Sequence, residues 1–201
     1  MPYLIIATRN SSKYQEILQI FDSRINVTSM ADFPEIPKIL EDGDTFESNA
    51  IKKARYVARY TGLPALADDS GLEVDALNGA PGIYSARFSG KNATSKTNNT
   101  KLLYLLRGIP KDKRTARFRC AIAFVTACET IYKIERCCEG RILYKPKGTE
   151  GFGYDPLFFF SKLGLTFSEL STQEKNQISH RGKALRAMRP FILQSLLGVR
   201  T

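Results

Sequence analysis

The chain is placed first by what it lacks. No uncharged apolar run approaches the roughly 18 residues that a membrane-crossing helix needs, and Met1–Tyr3 carries no basic stretch. Neither a membrane span nor a secretory signal is therefore expected. Four cysteines, Cys120, Cys128, Cys137 and Cys138, fit neither a C-x-x-C zinc set nor a small disulfide framework, and they read as reduced thiols in a cytoplasmic protein. No internal repeat, low-complexity tract or Pro/Gly/Ser linker interrupts the 201 residues, so residues 1–201 are expected to form one domain, with room for two lobes. A content of 43% hydrophobic and 25% charged residues excludes disorder, collagen-like repeats and coiled coil.

Acidic charge is scarce in one half only. Residues 1–100 hold 11 basic and 12 acidic side chains, whereas residues 101–201 hold 19 and 8, and the chain as a whole carries +10. Such an excess calls for an anionic partner, and both nucleic acid and nucleoside polyphosphates answer that description.

The apolar run Tyr3–Thr8 has the form of a strand buried on both faces, followed by a helix capped by Asn10, Ser11 or Ser12 and running to about Phe21. Asn26–Ser29 is a weak strand. Thr45 precedes a helix over Phe46–Tyr60, closed by Gly62. Ala65–Ala67 is a short strand leading into an Asp68-Asp69-Ser70-Gly71 turn, and the leucines of Asn98–Leu106 have helical spacing. Thr115–Thr126 and Ile131–Cys138 pattern as paired strands. Ser171 and Glu174 form a capping box for a short helix, and Ser179 can cap a last helix that Pro190 must kink or interrupt. Strand–helix alternation followed by a hairpin predicts a mixed-sheet α/β domain.

Five places carry residues suited to chemistry. Thr8-Arg9-Asn10-Ser11-Ser12-Lys13 lies between a buried strand and a helix start, where free N–H groups and the helix dipole favour an anion; an ordinary capped helix answers the same pattern. It is not a Walker A loop. Glu41-Asp42-Gly43-Asp44 precedes a helix on which Thr45, Asn49 and Lys53 form a polar stripe. Asp68 and Asp69 end an apolar strand and point to opposite sides; one or two such carboxylates with substrate phosphates suit Mg²⁺, while an Asx turn explains one of them. Gly151-Phe152-Gly153-Tyr154-Asp155 suits a loop that approaches a flat ligand closely, its alternative being a turn with core aromatics. Lys175 and Ser179-His180-Arg181 complete the set; a lone histidine is otherwise commonly structural.

Through these residues the sequence resembles the inosine triphosphate pyrophosphatase family. The resemblance runs in order over Ala7–Lys13, Glu41–Ala54, Leu66–Asp75, Asn78–Gly90, Gly151–Phe158 and Glu174–Arg181. It implies a long, curved mixed β-sheet with flanking helices forming two lobes around a central cleft. It also implies a homodimer, a requirement for Mg²⁺, and hydrolysis of ITP, dITP and XTP to the monophosphate and pyrophosphate, a cleansing of the nucleotide pool. Carried over by position, Asp69 resembles the proton acceptor and a metal ligand, and Glu41 the second metal carboxylate. Thr8, Arg9, Asn10, Ser11, Ser12 and Lys13 match the triphosphate loop, and Lys53 a second phosphate-facing lysine. Ser70, Phe152, Gly153, Tyr154, Asp155, Lys175, His180 and Arg181 match nucleoside-binding positions. Many relatives have Gly where Arg9 stands.

A donor-only arginine at Arg181, assisted by His180, would favour the ring oxygen of hypoxanthine and xanthine over the amino group of adenine. The basic second half exceeds what a nucleotide pocket needs. No DNA- or RNA-binding motif accompanies it, however, so no stable nucleic-acid complex is expected.

Overall fold

The computed structural model describes residues 1–21 and 23–198. Its strands are β1 (Tyr3–Ile6), β2 (Asn26–Ser29), β3 (Ala65–Val74), β4 (Thr115–Val125), β5 (Ile131–Ile142), β6 (Phe158–Phe160) and β7 (Leu165–Thr166). Its α-helices are α1 (Ser11–Leu18), α2 (Phe46–Thr61), α3 (Ser95–Leu105), α4 (Thr172–Ile178) and α5 (His180–Leu197). The strands form one sheet in the order β2-β1-β3-β4-β5-β6-β7. Pairing is parallel for β1 with β2 and β3, and antiparallel for β5 with β6 and β6 with β7. The expected mixed-sheet α/β class is thus present.

The chain divides into two compact units. Unit 1 comprises Met1–Asp69, Cys120–Arg136 and the chain from Arg181 on; unit 2 comprises Ser70–Arg119 and Cys137–His180. Each has its own core. In unit 1, Leu4, Ile6, Ile17, Leu66, Ile122, Phe124, Leu185, Met188 and Ile192 pack together. In unit 2, Leu72, Leu102, Phe118, Tyr154, Phe158 and Phe167 do so. Phe118, Phe158 and Phe167 lie with ring centroids 4.6–5.7 Å apart, and each such pair adds about 0.5–1.5 kcal/mol beyond the area it buries.

Local signals set the helices. Asn10 caps α1, its side chain accepting from the Lys13 N–H. α1 stops at Leu18 instead of reaching Phe21, because the N–H groups of Ile20 and Phe21 turn back to the carbonyls three residues earlier, Ile17 and Leu18. Thr45 and Ser48 form a capping box on α2, and Gly62 closes it in the left-handed region at φ 68°. α5 runs through Pro190 as one helix. The proline removes one backbone bond there, and the buried face of Leu185, Met188 and Ile192 carries the helix across it.

The largest departure from expectation is β3. Its ten residues run straight through Asp68-Asp69-Ser70-Gly71, which is strand and not a turn. A turn would place those carboxylates in water. Here they are buried, and cations distant in sequence meet them. Among the described residues no helix is long and apolar enough to cross a membrane. All four cysteines are free thiols, Cys120 and Cys138 buried and the other two exposed.

Candidate active site

The middle of β3 sets two neighbouring carboxylates on opposite faces, as strand alternation requires. Asp69 lies on the side of Lys53. Glu41 of the acidic loop reaches the same ammonium: Lys53 Nζ donates to Glu41 Oε1 at 2.5 Å and to the Asp68 backbone carbonyl at 2.7 Å, and it stands 3.7 Å from Asp69 Oδ1. Lys53 is able to do this because the apolar face of α2, with Phe46, Ala50, Ala54 and Val57 buried, turns the Asn49–Lys53 stripe inward. Asn49 in turn holds the acidic loop, accepting from the Gly43 N–H at 2.8 Å. Gly43 is required there by space, since a Cβ would come within 2.3 Å of Ser48 Oγ and 2.9 Å of Asn49 Oδ1.

Asp68 turns the other way. Its Oδ2 lies 3.0 Å from Lys13 Nζ and accepts from Arg181 Nε and Nη2 at 3.1 and 3.0 Å. Arg181 Nη1 donates to Glu16 of α1. The electrostatics separate the two aspartates. Burial pushes the Asp68 carboxyl up, but Lys13, Arg181 and Lys53 together hold it well below the usual carboxylate range. Burial raises Asp69 above its ordinary value, against the pull of Lys53 and Lys13 and aided by Glu41 and Asp68. Burial also acts against charge on Lys53, yet Asp69, Glu41 and Asp68 keep it protonated. Glu41 is raised by burial and lowered further by Lys53, ending below its ordinary value.

The loop before α1 is well ordered by its own side chains. The Asn10 N–H donates to Thr8 Oγ1 at 3.2 Å, and Ser29 Oγ donates to the Thr8 carbonyl at 2.9 Å. Arg9 is pinned sideways, its Nη2 donating to the Ile36 carbonyl at 2.6 Å. Ser11 and Ser12 open α1.

Unit 2 collects the other expected residues. Asp155 Oδ2 accepts from the Phe152 N–H at 2.9 Å and from Lys175 Nζ at 2.5 Å. The Lys175 ammonium then lies 4.6 Å from the centre of the Phe152 ring, within cation–π range. Gly151 (φ 75°) leaves room for this, because a Cβ would stand 2.3 Å from Asp155 Oδ2. Asn99 of α3 donates to the Gly153 carbonyl at 2.9 Å, and the buried Tyr154 hydroxyl donates to the Ser85 carbonyl at 2.8 Å. His180 stacks on Phe118 at 4.7 Å and lies parallel to Phe167 at 6.5 Å. Ser70 is half-buried on β3.

The structure therefore gathers Lys13, Glu41, Lys53, Asp69 and Arg181 in unit 1, and Phe152–Asp155, Lys175 and His180 in unit 2. Arg181 donates to Asp68 and Glu16. Sequence reasoning passed over Glu16 and treated Asp68 as a turn residue. One signal for Glu16 was present: Lys13 and Glu16 are three apart and share a face of α1.

A mixed sheet whose strand β3 and helix α2 bring lysine and carboxylates together in a buried ionic centre defines the class, an α/β protein. Within that class the chain belongs to the Ham1 family, whose profile matches residues 4–191. It is 52% identical over 193 residues, covering 96% of this chain and 97% of the relative, to a dITP/XTP pyrophosphatase of Geobacter sulfurreducens. A dITP/XTP pyrophosphatase of Bacillus cereus is 45% identical, with 98% of each chain covered. Among solved structures, a HAM1 protein from Coxiella burnetii superposes with a TM-score of 0.87 at 42% identity, covering 96% of this chain and all of that one.

Proposed function

We propose that the protein hydrolyses noncanonical purine nucleoside triphosphates, ITP, dITP and XTP, to the nucleoside monophosphate and pyrophosphate. Water adds at the α-phosphorus, the bond to the bridging oxygen of the β-phosphate breaks, and pyrophosphate leaves. The observation that carries this reading is the convergence of Lys53 on Glu41, the Asp68 carbonyl and Asp69, in a chain about half identical to dITP/XTP pyrophosphatases over nearly its whole length.

The donor set fits a divalent cation. Glu41 and Asp69 share one ammonium, and two carboxylates completed by phosphate oxygens and water are what Mg²⁺ favours. Charge supports the same conclusion: Lys13, Lys53 and Arg181 stand against Glu16, Glu41, Asp68 and Asp69, leaving this centre one negative charge in excess. Such a centre repels a polyanion until a cation joins it. When bound, Mg²⁺ would supply neutralisation of the phosphate oxygens and a more acidic water. Asp69 accepts the proton of the attacking water, and Lys13 and Lys53 hold the phosphates. The N–H groups at the start of α1, contributed over Arg9, Asn10, Ser11 and Ser12 in a loop braced by Thr8, assist them.

The residues of unit 2 take the nucleoside. Phe152 stacks on the base, Ser70 and the Gly153–Asp155 backbone flank it, and Lys175 and His180 read the ring oxygen. An ammonium has only donors, so it pairs with the oxygen of hypoxanthine or xanthine and opposes the amino group of adenine. Arg181, which also has only donors, stands beside Lys175 in this discrimination. A homodimer in the cytoplasm, with no membrane and no stable nucleic-acid complex, completes the proposal; light scattering should return about twice the chain mass of 22.6 kDa.

The deciding experiment is pyrophosphate release with Mg²⁺ across ITP, dITP, XTP, GTP, ATP and a pyrimidine triphosphate. Stoichiometric pyrophosphate and monophosphate, with dITP and XTP far ahead of ATP, are expected. Release of orthophosphate, or equal rates on ATP, overturns the reading.

A further inference from the structure

The loop of unit 2 that carries Phe152 is flexible by composition. Gly151 and Gly153 both sit at positive φ, 75° and 62°, a region that glycine enters at little cost. Within the loop, Asp155 ties back to Phe152 through its own N–H and through its carboxylate. Those bonds close the loop on itself and leave its attitude toward the rest of unit 2 to other contacts. Lys175 grips one end through Asp155. The apex is different. A Cβ on Gly153 would meet nothing within 4 Å, so side-chain packing does not hold it.

Helix α3 holds it instead. Asn99 Nδ2 donates to the Gly153 carbonyl at 2.9 Å. The neighbouring Asn98, 6% exposed, reaches the next loop residue by a second route. Its Nδ2 donates to the Ser85 and Ala86 carbonyls at 3.2 and 3.3 Å, and its Oδ1 accepts from the Ser89 N–H at 2.8 Å. The Ser85 carbonyl so fixed also accepts from the Tyr154 hydroxyl at 2.8 Å. Asn99 Oδ1, by contrast, is buried with no hydrogen-bond partner among the described residues. An unpaired buried acceptor costs stability, and an apolar side chain of the same size would avoid that cost. The bond to Gly153 accounts for an amide at this place.

We infer that Asn99 is a positioning residue for the base: by holding the Gly153 carbonyl it sets the Phe152 ring before the nucleotide arrives. This rests on the reading of Phe152 as the stacking platform. Asn99 acts through the loop, by ordering a glycine-hinged segment in advance so that binding does not have to.

The test uses the full chain with Mg²⁺. Asn99→Leu keeps the size and removes the donor. KM for dITP should rise about three- to tenfold, the scale of one neutral hydrogen bond, with kcat within about twofold of the parent. Calorimetry should show unchanged affinity for inorganic tripolyphosphate, which has phosphates and no base. Asn99→Gln, which restores a donor, should recover part of the loss. Amide hydrogen exchange over residues 151–155 should quicken in Asn99→Leu, as local opening becomes easier. In a Phe152→Ala background Asn99→Leu should add little to KM, because a residue that acts through another is not additive with it. An unchanged KM in Asn99→Leu, where Phe152→Ala raises it, overturns the inference. So do equal losses with and without Phe152, or a matching loss of tripolyphosphate affinity. Thermal melting identifies a variant that fails to fold; Asn99→Asp, close in shape and unable to donate when ionised, then takes the place of Asn99→Leu. Faster exchange in Asn99→Leu together with an unaltered KM in Phe152→Ala removes the base from this loop, which defeats the nucleoside reading and leaves the hold of Asn99 on the loop intact.

Discussion

Asp68 and Asp69 are adjacent and chemically identical, and the fold gives them opposite work. Asp68 is held by two cations and kept ionised, so removing its charge leaves a buried guanidinium facing an amide. Asp68→Asn should lower the unfolding free energy by roughly 3–5 kcal/mol, the usual consequence of breaking one side of a buried ion pair, as measured by urea denaturation. Asp69 faces the Lys53 ammonium at 3.7 Å instead. Asp69→Asn should cut kcat by about a hundredfold to ten-thousandfold, the scale of general-base catalysis, while melting near the parent temperature. A variant with near-normal turnover would remove Asp69 from the proton-acceptor role. The sequence displayed the pair and the alternation that separates its members, but not which member was structural. That depends on Arg181, 113 residues away, and Arg181 depends on Glu16, 165 residues away. A glutamate on a short amphipathic helix reads as a solvent-facing residue until the opposing cation is known.

Elements were legible where their ends are written locally. The Asn10 cap, the Thr45 capping box with Gly62 behind it, and the Ser171–Glu174 box each lie within a few residues of the helix they define. β3 was not legible beyond Ala67, because Asp-Asp-Ser-Gly has turn chemistry and only tertiary partners make it strand. The box on α4 has a pH signature. Hydrogen bonds from the Ser171 hydroxyl and then its backbone N–H hold Glu174 below the ordinary glutamate value. A carboxylate lowered on folding stabilises above its unfolded pKa, and the contribution disappears as pH falls through the folded one. Stability followed by urea unfolding should therefore decline below about pH 5 in the parent, and less steeply in Glu174→Gln. The loop before β6 is equally specific. Gly151→Ala combines a positive φ with a Cβ pressed onto Asp155, which anchors Lys175 beneath Phe152. The expected result is a raised KM for dITP with a smaller change in kcat; an unchanged KM would separate Asp155 from nucleoside binding.

At the scale of the whole molecule the charge is unevenly held. Unit 2 has fifteen basic and eight acidic side chains and so carries most of the net +10. Part of it is spent internally, Arg117 and Arg119 pairing with Glu73, Asp75 and Glu139. Exposed cations including Lys91, Lys96, Arg107, Lys111, Lys113 and Lys145 remain at the surface, with Asp112 the single acidic residue between Asp75 and Glu129. Exposed cations of one sign raise the local concentration of an anionic solute and so its rate of capture, an effect that salt screens over about 8–10 Å at physiological strength. Capture enters kcat/KM and not kcat. Raising NaCl from about 20 to about 300 mM at saturating Mg²⁺ should therefore lower kcat/KM for dITP several-fold and leave kcat nearly constant. An uncharged crowding agent at matched viscosity serves as the control for diffusion. A kcat/KM indifferent to salt would mean that substrate capture does not use the basic surface. A parallel fall in kcat would place the screened charges at the reacting phosphates instead.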